Sequence, residues 1–396
     1  MSVVHYGGPA PLTESSRSVL RLVAKKGAVT RPQLGEVLNL SKPTMSAAIA
    51  ELSKLGLVEA TGSLKGPMGR TAAVYGLGPM AGYVIGMDVG ALQIRAVAYT
   101  LDGQSLASVE HQLTAREAGS TAKVSERLAE MAEAVIAAIG DRQTLLRCIA
   151  VAVPRIVATS ALNRRRPPEA VLDVLRRRFA VPVLIENNVN CAALGEMLYG
   201  AARNRQTFVF LQVGVRIGLG IVLNGQLFRG FHGAAGEVGR MPFPWSEKAI
   251  PVREGVEAYL GSEALVARCG AAWDDADEAP PSSAKELFEM AERGSATASL
   301  WVKRHAHDIG RLVAGCIGLL DPGLVVLGGG VGQNALLRGE VETIATGLTW
   351  STDIASSSLG NSGTVLGAMQ LAADYGLGLI LGDTVHPAVV LQPLGD

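Results

Sequence analysis

Three consecutive polar residues, Glu186, Asn187 and Asn188, lie between a short apolar run and a helical pattern. The run from Val181 to Ile185 predicts a buried strand, and the apolar residues after it recur on one helix face. These are Cys191, Leu194 and Leu198. Asn188 or Asn190 is a suitable N-cap for that helix. Because open α/β sheets bind ligands where a strand ends and a helix begins, the stretch predicts either a ligand site or a plain helix cap.

The same stretch resembles the signature of the ROK family (repressors, open reading frames and sugar kinases), in which the strand ends Glu-Asn-Asp before an Asn-Ala-Ala-Leu-Gly-Glu helix. In the kinases of that family, the Asp is the general base that takes the proton from a sugar hydroxyl. Here Asn188 occupies that position. An amide has no titratable carboxylate and cannot act as a base near neutral pH. The resemblance therefore implies a sugar-kinase fold without kinase chemistry.

Two glycine-containing turns resemble the loops with which the ROK kinases bind ATP. After a predicted strand, Tyr83 to Val89, the family has Asp-x-Gly-Gly-Thr, and this chain has the apolar Leu92 at the Thr position. Gly214 to Gly220 resembles the second loop, but Arg216 stands where a glycine admits a phosphate. Both changes argue against ATP, and we expect no cofactor.

The stretch from Gly230 to Met241 resembles the family's Gly-x-x-x-Ala-Gly-Glu-x-Gly-His motif. The resemblance implies that Glu237 and, further along, Glu257 contact sugar hydroxyls. Arg240 replaces the His that binds sugar and zinc in the family, and the family's zinc-binding Cys run is missing. Because no tetrahedral zinc site can be built without those ligands, we expect no metal. Carried over position by position, the candidate effector-binding residues are Asn187, Asn188, Glu237, Arg240 and Glu257.

Arginines are concentrated in one further part of the chain, at Arg164 to Arg166 and again at Arg176 to Arg178. The planar guanidinium suits phosphate, so one hypothesis is that the effector is a sugar phosphate. The alternative is that these are solvated charges on a loop and a helix.

The N-terminal segment is basic although the chain as a whole is neutral. Residues 1 to 80 contain nine Lys or Arg and four Glu, a net charge of +5, which leaves −5 for the remainder. A small basic domain joined to a larger acidic one is typical of nucleic-acid binding.

Three helices are predicted in this segment. The first helix runs to about Lys26, with Ser15 or Ser16 as its N-cap. The second runs from Arg31 to Leu38, with Thr30 as its N-cap and Pro32 in its first turn. The third runs from Lys42 to about Leu55, with Ser41 as its N-cap. In the third helix, Met45, Ile49 and Leu52 recur at the spacing of a buried face. Two short helices, a tight turn and a third helix indicate a helix-turn-helix.

Two predicted strands follow the third helix, Leu57 to Ala60 and Ala72 to Leu77, with a Gly/Pro/basic loop, Gly62 to Thr71, between them. The loop is typical of a wing, and the segment resembles the winged helix-turn-helix of ROK repressors. The alternative is a three-helix protein-interaction module. We expect the following DNA contacts: Ser41, Lys42, Thr44, Ser46 and Ala47 in the major groove, Arg31, Lys54 and Lys65 at phosphates, and Arg70 in the minor groove.

Composition sets limits on the class of protein. The 396 residues allow two or three domains, and the four cysteines are far apart with no metal-binding spacing. The N-terminal residues have neither the basic nor the apolar region of a signal peptide, and no apolar run reaches the roughly 18 residues expected of a membrane helix. We therefore expect a cytoplasmic protein with reduced thiols.

Together these patterns predict an α/β protein in which a winged helix-turn-helix, residues 12–80, precedes a two-lobed, actin-like (ribonuclease H-like) domain of the ATPase and sugar-kinase type, residues 81–396. The expected function is a DNA-binding transcriptional regulator, a repressor, that acts as a homodimer or higher homo-oligomer. The expected effector is a sugar or sugar phosphate in the cleft between the lobes. The alternatives are a regulator without a small-molecule effector and an ATP-dependent sugar kinase.

Overall fold

The computed structural model describes residues 12–65, 71–91, 93–140, 145–157, 172–244, 250–383 and 389–394. The chain falls into two compact units. Unit 1 consists of Met1–Asn188 with Ala368–Asp396, and unit 2 of Val189–Gly367. The predicted domain boundary at residues 80 and 81 stays a prediction.

The first part of unit 1, here called the head (residues 12–77), is a three-helix domain with a small sheet. Its elements are α1 (Glu14–Lys26), β1 (Val29–Thr30), α2 (Arg31–Leu38), α3 (Lys42–Lys54), β2 (Val58–Lys65) and β3 (Thr71–Leu77). The three antiparallel strands lie in the order β1-β3-β2. Val19, Leu20 and Val23 of α1 and Ile49 of α3 are almost fully buried, so the helices share one core.

Helices α1, α2 and α3 each begin with a local side-chain cap, and the caps of α2 and α3 are the predicted ones. Thr30 and Gln33 form a reciprocal capping box on α2, and Ser41 caps α3, both as predicted. The predicted cap of α1 is wrong, because Thr13 rather than Ser15 or Ser16 accepts the first free backbone N–H. Ser16 lies one turn inside the helix and is fully buried.

Strand β2 is longer than the sequence predicts. Residues 62–65 were expected to be loop, but they pair with residues 71–74 of β3 after a bulge between Ala60 and Gly62. Their side chains are exposed, so backbone hydrogen bonding to β3 rather than burial keeps them in the strand. The tip of the predicted wing, with Gly69 and Arg70, lies outside the described residues.

The remaining elements follow in chain order. Those up to the end of β8 are β4 (Tyr83–Val89), β5 (Gln93–Thr100), β6 (Ser105–Gln112), α4 (Ala115–Ala118), α5 (Thr121–Ile139), β7 (Leu146–Val153), α6 (Asp173–Arg178) and β8 (Val183–Asn187). They are followed by α7 (Asn188–Tyr199), β9 (Phe208–Val213), β10 (Ile217–Leu223), β11 (Gln226–Leu227), α8 (Gly255–Leu260), α9 (Ser262–Ala271), α10 (Ala284–Glu292), α11 (Ala296–Leu320), β12 (Leu324–Gly328), α12 (Gly329–Gly332), α13 (Ala335–Leu348), β13 (Asp353–Ser356), α14 (Gly363–Leu381) and β14 (Val389–Leu391).

The larger sheet of unit 1 has the strand order β14-β8-β7-β4-β5-β6. Strands β4, β7 and β8 are parallel, so their carboxyl ends meet at one edge of the sheet. Leu128, Ala132 and Val135 of α5 pack into the core formed by these strands. The sheet therefore places Asp88, near the end of β4, at the same edge as Asn187 at the end of β8.

The sheet of unit 2 has the order β11-β10-β9-β12-β13 and carries a separate core on each face. Val209 and Leu211 of β9 belong to a core with α11 and α13, while Phe208 and Phe210 belong to one with Ala193 of α7. This alternation is the two-residue period of a strand buried on both faces. At the end of β10, Asn224 (φ 52°) and Gly225 (φ 73°) make the hairpin turn to β11.

The stretch around Asn188 differs from the prediction in its boundaries. Glu186 and Asn187 remain in β8, because they pair with Ala152 and Val153 of β7. Asn188 is the first residue of α7 and Asn190 is buried inside it, so the expected cap position is wrong. The first two turns of α7 are buried on all sides, which is why apolar periodicity failed to find its inner face; Leu198, predicted on that face, is 37% exposed.

Among the described residues, one helix has the length and mean hydropathy of a membrane span, which was not predicted from the sequence. It covers Gly360–Leu381, in which an 18-residue window has a mean hydropathy of 1.4 and is 56% buried inside the protein. The core helices of soluble proteins meet the same criterion, so the helix is weak support for a membrane segment.

Candidate functional site

The solvent-facing side of α3 is the first candidate surface. Met45, Ile49 and Leu52 are buried, as predicted from their spacing. Four of the expected DNA contacts, Lys42, Ser46, Ala47 and Lys54, are exposed on the other side of the helix. Small side chains in the middle of the helix and a lysine near each end allow its backbone to approach a polyanion closely.

Ser41 and Thr44 have a structural use at the start of α3. The Ser41 hydroxyl accepts a hydrogen bond from the Thr44 backbone N–H (3.3 Å), and the two side-chain oxygens lie 2.8 Å apart. Both hydroxyls therefore belong to the cap of the helix. A base or phosphate contact from either would add to this arrangement or replace part of it.

Arg31 is held at the start of α2 by an aromatic ring. The Arg31 guanidinium carbon lies 5.1 Å from the centre of the Tyr75 ring on β3. Such a cation–π contact orients the guanidinium while its N–H groups remain available to solvent. Lys65, at the end of β2, is exposed, and Arg70 lies outside the described residues. The head thus presents Arg31 and Lys65 on elements other than α3, which is the recognition helix of the predicted helix-turn-helix.

Glu51 on α3 has a structural role that was not predicted from the sequence. Its carboxylate accepts hydrogen bonds from the Thr13 hydroxyl (2.7 Å), the Thr13 backbone N–H (3.2 Å) and the Ser16 hydroxyl (2.5 Å). The Ser16 bond, followed by those from Thr13, lowers the pKa of Glu51. These contacts fix α3 to the first turn of α1. No local pattern could have revealed them, because the partners are more than 30 positions apart.

In unit 1, the carboxyl-terminal edge of the large sheet holds two of the candidate effector residues. The Asn187 side-chain amide donates to the Arg155 carbonyl (3.1 Å), and Asn188 beside it is half-buried. Burial raises the pKa of Asp88 at this edge to about 7, although Arg95 lowers it. Leu92, in the altered phosphate loop, lies outside the described residues.

In unit 2, Glu237, Arg240 and Glu257 come together around the start of β10. Arg240 Nε lies 3.2 Å from Glu237 Oε2, and its terminal nitrogen lies 3.5 Å from Glu254 Oε1. Glu257, on α8, accepts a hydrogen bond from the Ile217 backbone N–H (3.2 Å). Glu254 was not predicted, because it belongs to none of the motifs in the sequence. The arginine therefore lies between two carboxylates.

The charges of this cluster act on one another. Burial is the main cause of the raised pKa of Glu237, with smaller raising effects from Glu257 and Glu254. Arg240 and Arg216 act in the opposite direction. Three carboxylates and two guanidinium groups provide acceptors and donors for the hydroxyls of a polyol. Within the described ranges, no three His, Cys, Asp or Glu side chains are arranged to hold a metal ion.

Of the three described arginines proposed to bind an anion, Arg176 and Arg178 are engaged in ion pairs, and Arg177 is exposed. Arg176 pairs with Asp173 (3.1 Å) and donates to the Gln392 carbonyl, and Arg178 pairs with Glu126 and Glu133. Arg164 to Arg166 lie outside the described residues. The described arginines thus favour the alternative of ordinary surface ion pairs over a phosphate site.

Comparison with known proteins agrees with this architecture. Residues 84–375 match the ROK family and residues 11–65 the MarR family. The chain is 24% identical to the xylose repressor of Bacillus subtilis over 379 residues, which is 92% of this chain and 96% of that protein. It is 29% identical to the xylose repressor of Bacillus spizizenii over 232 residues, 57% of this chain and 60% of that one.

A solved structure resembles the fold over most of the chain. It is a ROK family transcriptional regulator described as a homolog of the E. coli MLC protein, with a TM-score of 0.72 and 19% identity over 92% of this chain and 96% of that one. The predicted fold class, a winged helix-turn-helix followed by an actin-like domain of the sugar-kinase type, is thereby confirmed. Since the family match includes both the Asn188 stretch and the Glu237–Arg240–Glu257 cluster, the chain belongs to the ROK family.

Proposed function

We propose that this protein is a DNA-binding transcriptional repressor of the ROK family whose affinity for its operator depends on a neutral sugar. The observation that carries the proposal is the exposed face of α3, with Lys42, Ser46, Ala47 and Lys54, in a head that precedes a ROK domain. The relatives named xylose repressors support the same function.

DNA recognition follows from the geometry of the head. We place α3 in the major groove, with Ser46 and Ala47 facing the bases and Ser41, Lys42 and Thr44 at its entry. Arg31, Lys54 and Lys65 then bind phosphates, and Arg70 reaches the minor groove. A homodimer presents two heads to a pseudo-palindromic operator whose half-sites are one or more helical turns apart.

The charge of the unit 2 cluster favours a neutral ligand over a phosphorylated one. Arg240 is already paired with Glu237 and Glu254, and Glu257 adds a third negative charge. A phosphate would meet three carboxylates and only two guanidinium groups, those of Arg240 and Arg216. Sugar hydroxyls, in contrast, both donate to Glu237 and accept from Arg240. Asn187 and Asn188, in unit 1, remain separate candidates for contacts to a sugar.

We further propose that the protein lacks kinase activity and acts in the cytoplasm. Asn188 offers no carboxylate at the position of the general base, and loss of such a base typically reduces a rate by about 10²- to 10⁴-fold. The ROK domain then serves as the ligand-binding domain that controls DNA binding by the head. Such a ligand must bind two conformations with different affinities, or nothing switches.

The test begins with a duplex that the protein selects from a random pool. Fluorescence anisotropy then gives its affinity with and without xylose, glucose and their phosphates. We expect binding that weakens with salt and changes at least about fivefold with a neutral sugar, the usual lower range of allosteric coupling. Failure to select any duplex would contradict the proposed function.

A second candidate is a regulator without a small-molecule effector. The observation in its favour is that the polar groups of the cluster already bind one another: Arg240 its two carboxylates, and Glu257 the Ile217 N–H. Thermal melting separates the two. A ligand at about 100 times its dissociation constant stabilises the folded protein by about 2.7 kcal/mol, and no sugar should do so if this candidate is correct.

A further inference from the structure

Arg21 of α1 and Asp383, just beyond α14, form an ion pair between the head and the last helix of the chain. One terminal nitrogen of Arg21 lies 2.9 and 2.7 Å from the two Asp383 oxygens, and its Nε lies 3.3 Å from Oδ2. Both residues belong to unit 1 and are 362 positions apart. Several short contacts in one pair fix the direction of both side chains more closely than a single one.

The backbone of Asp383 is fixed to the end of α14. Gly382 has a φ of 70°, the left-handed conformation that ends many helices, and the Asp383 N–H donates to the Gly378 carbonyl (3.0 Å). This arrangement is the Schellman motif. The Asp383 carboxylate is therefore carried by the last turn of the helix rather than by a loose tail.

A second contact joins α14 to the head through Arg147, near the start of β7. The Arg147 guanidinium donates to the carbonyls of Met80 and Ala81, in the connection that leaves the head. The Met80 N–H in turn donates to the Gly56 carbonyl (3.0 Å) at the end of the recognition helix. The Arg147 Cβ lies 3.2 Å from the position of a Cβ built on Gly376 in α14, so the helix and this arginine are in close contact.

The other end of α14 belongs to unit 2. The chain passes from unit 2 to unit 1 between Gly367 and Ala368, inside the helix. At Gly367, a Cβ would lie 1.8 Å from the Cys191 carbonyl oxygen of α7, so only glycine allows α14 to approach α7 this closely. About 21 Å of continuous helix, at 1.5 Å per residue, separates Gly367 from Leu381 at the end of α14, and thus joins this contact to Asp383.

We propose that α14 transmits a ligand-dependent displacement of its first turn to the DNA-reading head, through the Arg21–Asp383 pair and the Arg147 contact. The proposal rests on the proposed function, since it describes how a sugar would alter DNA binding. Arg21 and Asp383 act as positioning residues: they touch neither sugar nor DNA, and they set the orientation of α1 and hence of α3.

The exposure of the pair limits its effect. Arg21 and Asp383 are 40% and 34% exposed in their side chains, and partly exposed ion pairs are weak and screened by salt. Loss of the pair should therefore change operator affinity about two- to fivefold at low salt and less at high salt. The Arg147 contact should maintain the remaining coupling between α14 and the head.

The test uses the full-length protein with Asp383→Asn. We expect operator affinity to fall about two- to fivefold, because a head held less firmly must be ordered on binding. The ratio of operator affinities without and with xylose should shrink by a similar factor, while the shift in melting temperature caused by xylose stays the same. The double variant R21E/D383R restores the pair with reversed charges and should recover the original ratio.

Glu14→Gln is the matched control, because Glu14 is the other carboxylate near Arg21 (3.8 Å) but lies within α1 itself. It should leave operator affinity and the xylose ratio unchanged. If the unmodified protein responds to xylose and Asp383→Asn has the same operator affinity and the same xylose ratio, the proposal is overturned, but the proposed function is not.

Amide hydrogen exchange tests the contact without DNA or sugar. In the ligand-free protein, Asp383→Asn should speed exchange in α1 several-fold, and Glu14→Gln should not. Equal exchange in α1 of both variants would overturn the proposal even if no operator were found, so its failure and that of the proposed function remain distinguishable.

Discussion

The Glu51 carboxylate on the recognition helix accepts a 2.7 Å hydrogen bond from the hydroxyl of Thr13, the residue that caps α1. A single acidic side chain thus connects the start of the first helix to the last turn of the third. The α3 surface proposed to enter the major groove is therefore oriented in part by a contact one helical turn beyond Ala47. Glu51 thus positions α3, and Tyr75 similarly positions the Arg31 side chain.

Replacing Glu51 with Gln should destabilise the head by about 1 kcal/mol at neutral pH, because hydrogen bonds to a charged acceptor are lost at a partly exposed site. The pKa of Glu51 is lowered in the folded protein, so its contribution is present above the unfolded pKa and is lost as the pH falls through the folded value. Melting curves of Glu51→Gln and the unmodified protein should therefore converge below about pH 4. Glu36→Gln, the same change at an exposed position on α2, should have no such effect, and equal curves for the two variants would contradict the role of Glu51.

Replacing Arg31 with Ala should weaken binding to all duplexes alike and reduce the slope of log affinity against log salt by about 0.9, the value for one lost phosphate contact. Tyr75→Leu should produce part of the same effect, since it removes the ring that orients the guanidinium at 5.1 Å. Tyr75→Phe retains a ring and serves as the control. An unchanged salt slope in Arg31→Ala would remove this residue from the interface.

The sequence predicts local features of the head well, and the misses have a common cause. Thr30 and Ser41 were identified as caps because their partners, Gln33 and Thr44, lie three residues away. The start of α1 was misplaced because Ser15 and Ser16 are equally good caps locally. Glu51, distant in the chain, accepts hydrogen bonds from both Thr13 and Ser16, which favours Thr13 as the cap and Ser16 inside the helix.

The candidate effector site shows the same division. The family resemblance marks Glu237, Arg240 and Glu257, and the structure brings these three together within unit 2. It does not mark Glu254, whose carboxylate joins the cluster because the chain takes a left-handed turn there, with a φ of 59°. The extent of β8 was likewise set by pairing with β7 rather than by the polarity of Glu186 and Asn187.

Glu237 gives a prediction of opposite sign to Glu51. Its pKa is raised in the folded protein, chiefly by burial, so ionised Glu237 opposes folding. The contribution of protonated Glu237 to stability is fully present below the pKa that this residue has in the unfolded chain. It is lost as the pH rises through the higher pKa of Glu237 in the folded protein. Glu237→Gln should therefore be more stable than the unmodified protein at pH 7 and equal to it near pH 4, as measured by chemical denaturation. The same variant should lose sugar-induced stabilisation, because an amide is a weaker acceptor for a hydroxyl than a carboxylate.

Asn188→Asp should fail to create a sugar kinase. The substitution supplies the carboxylate that the ROK kinases use as a base, but the two altered loops still lack the threonine and glycine that would admit ATP phosphates, with Leu92 and Arg216 in their place. A coupled assay with ATP and a panel of sugars should detect no turnover in the variant or in the unmodified protein. Turnover in both, at equal rates, would show that Asn188 is not at the reacting centre and would revive the enzyme alternative. Turnover in the variant alone would show that the nucleotide site persists despite Leu92 and Arg216, and that Asn188 by itself keeps the domain from catalysis.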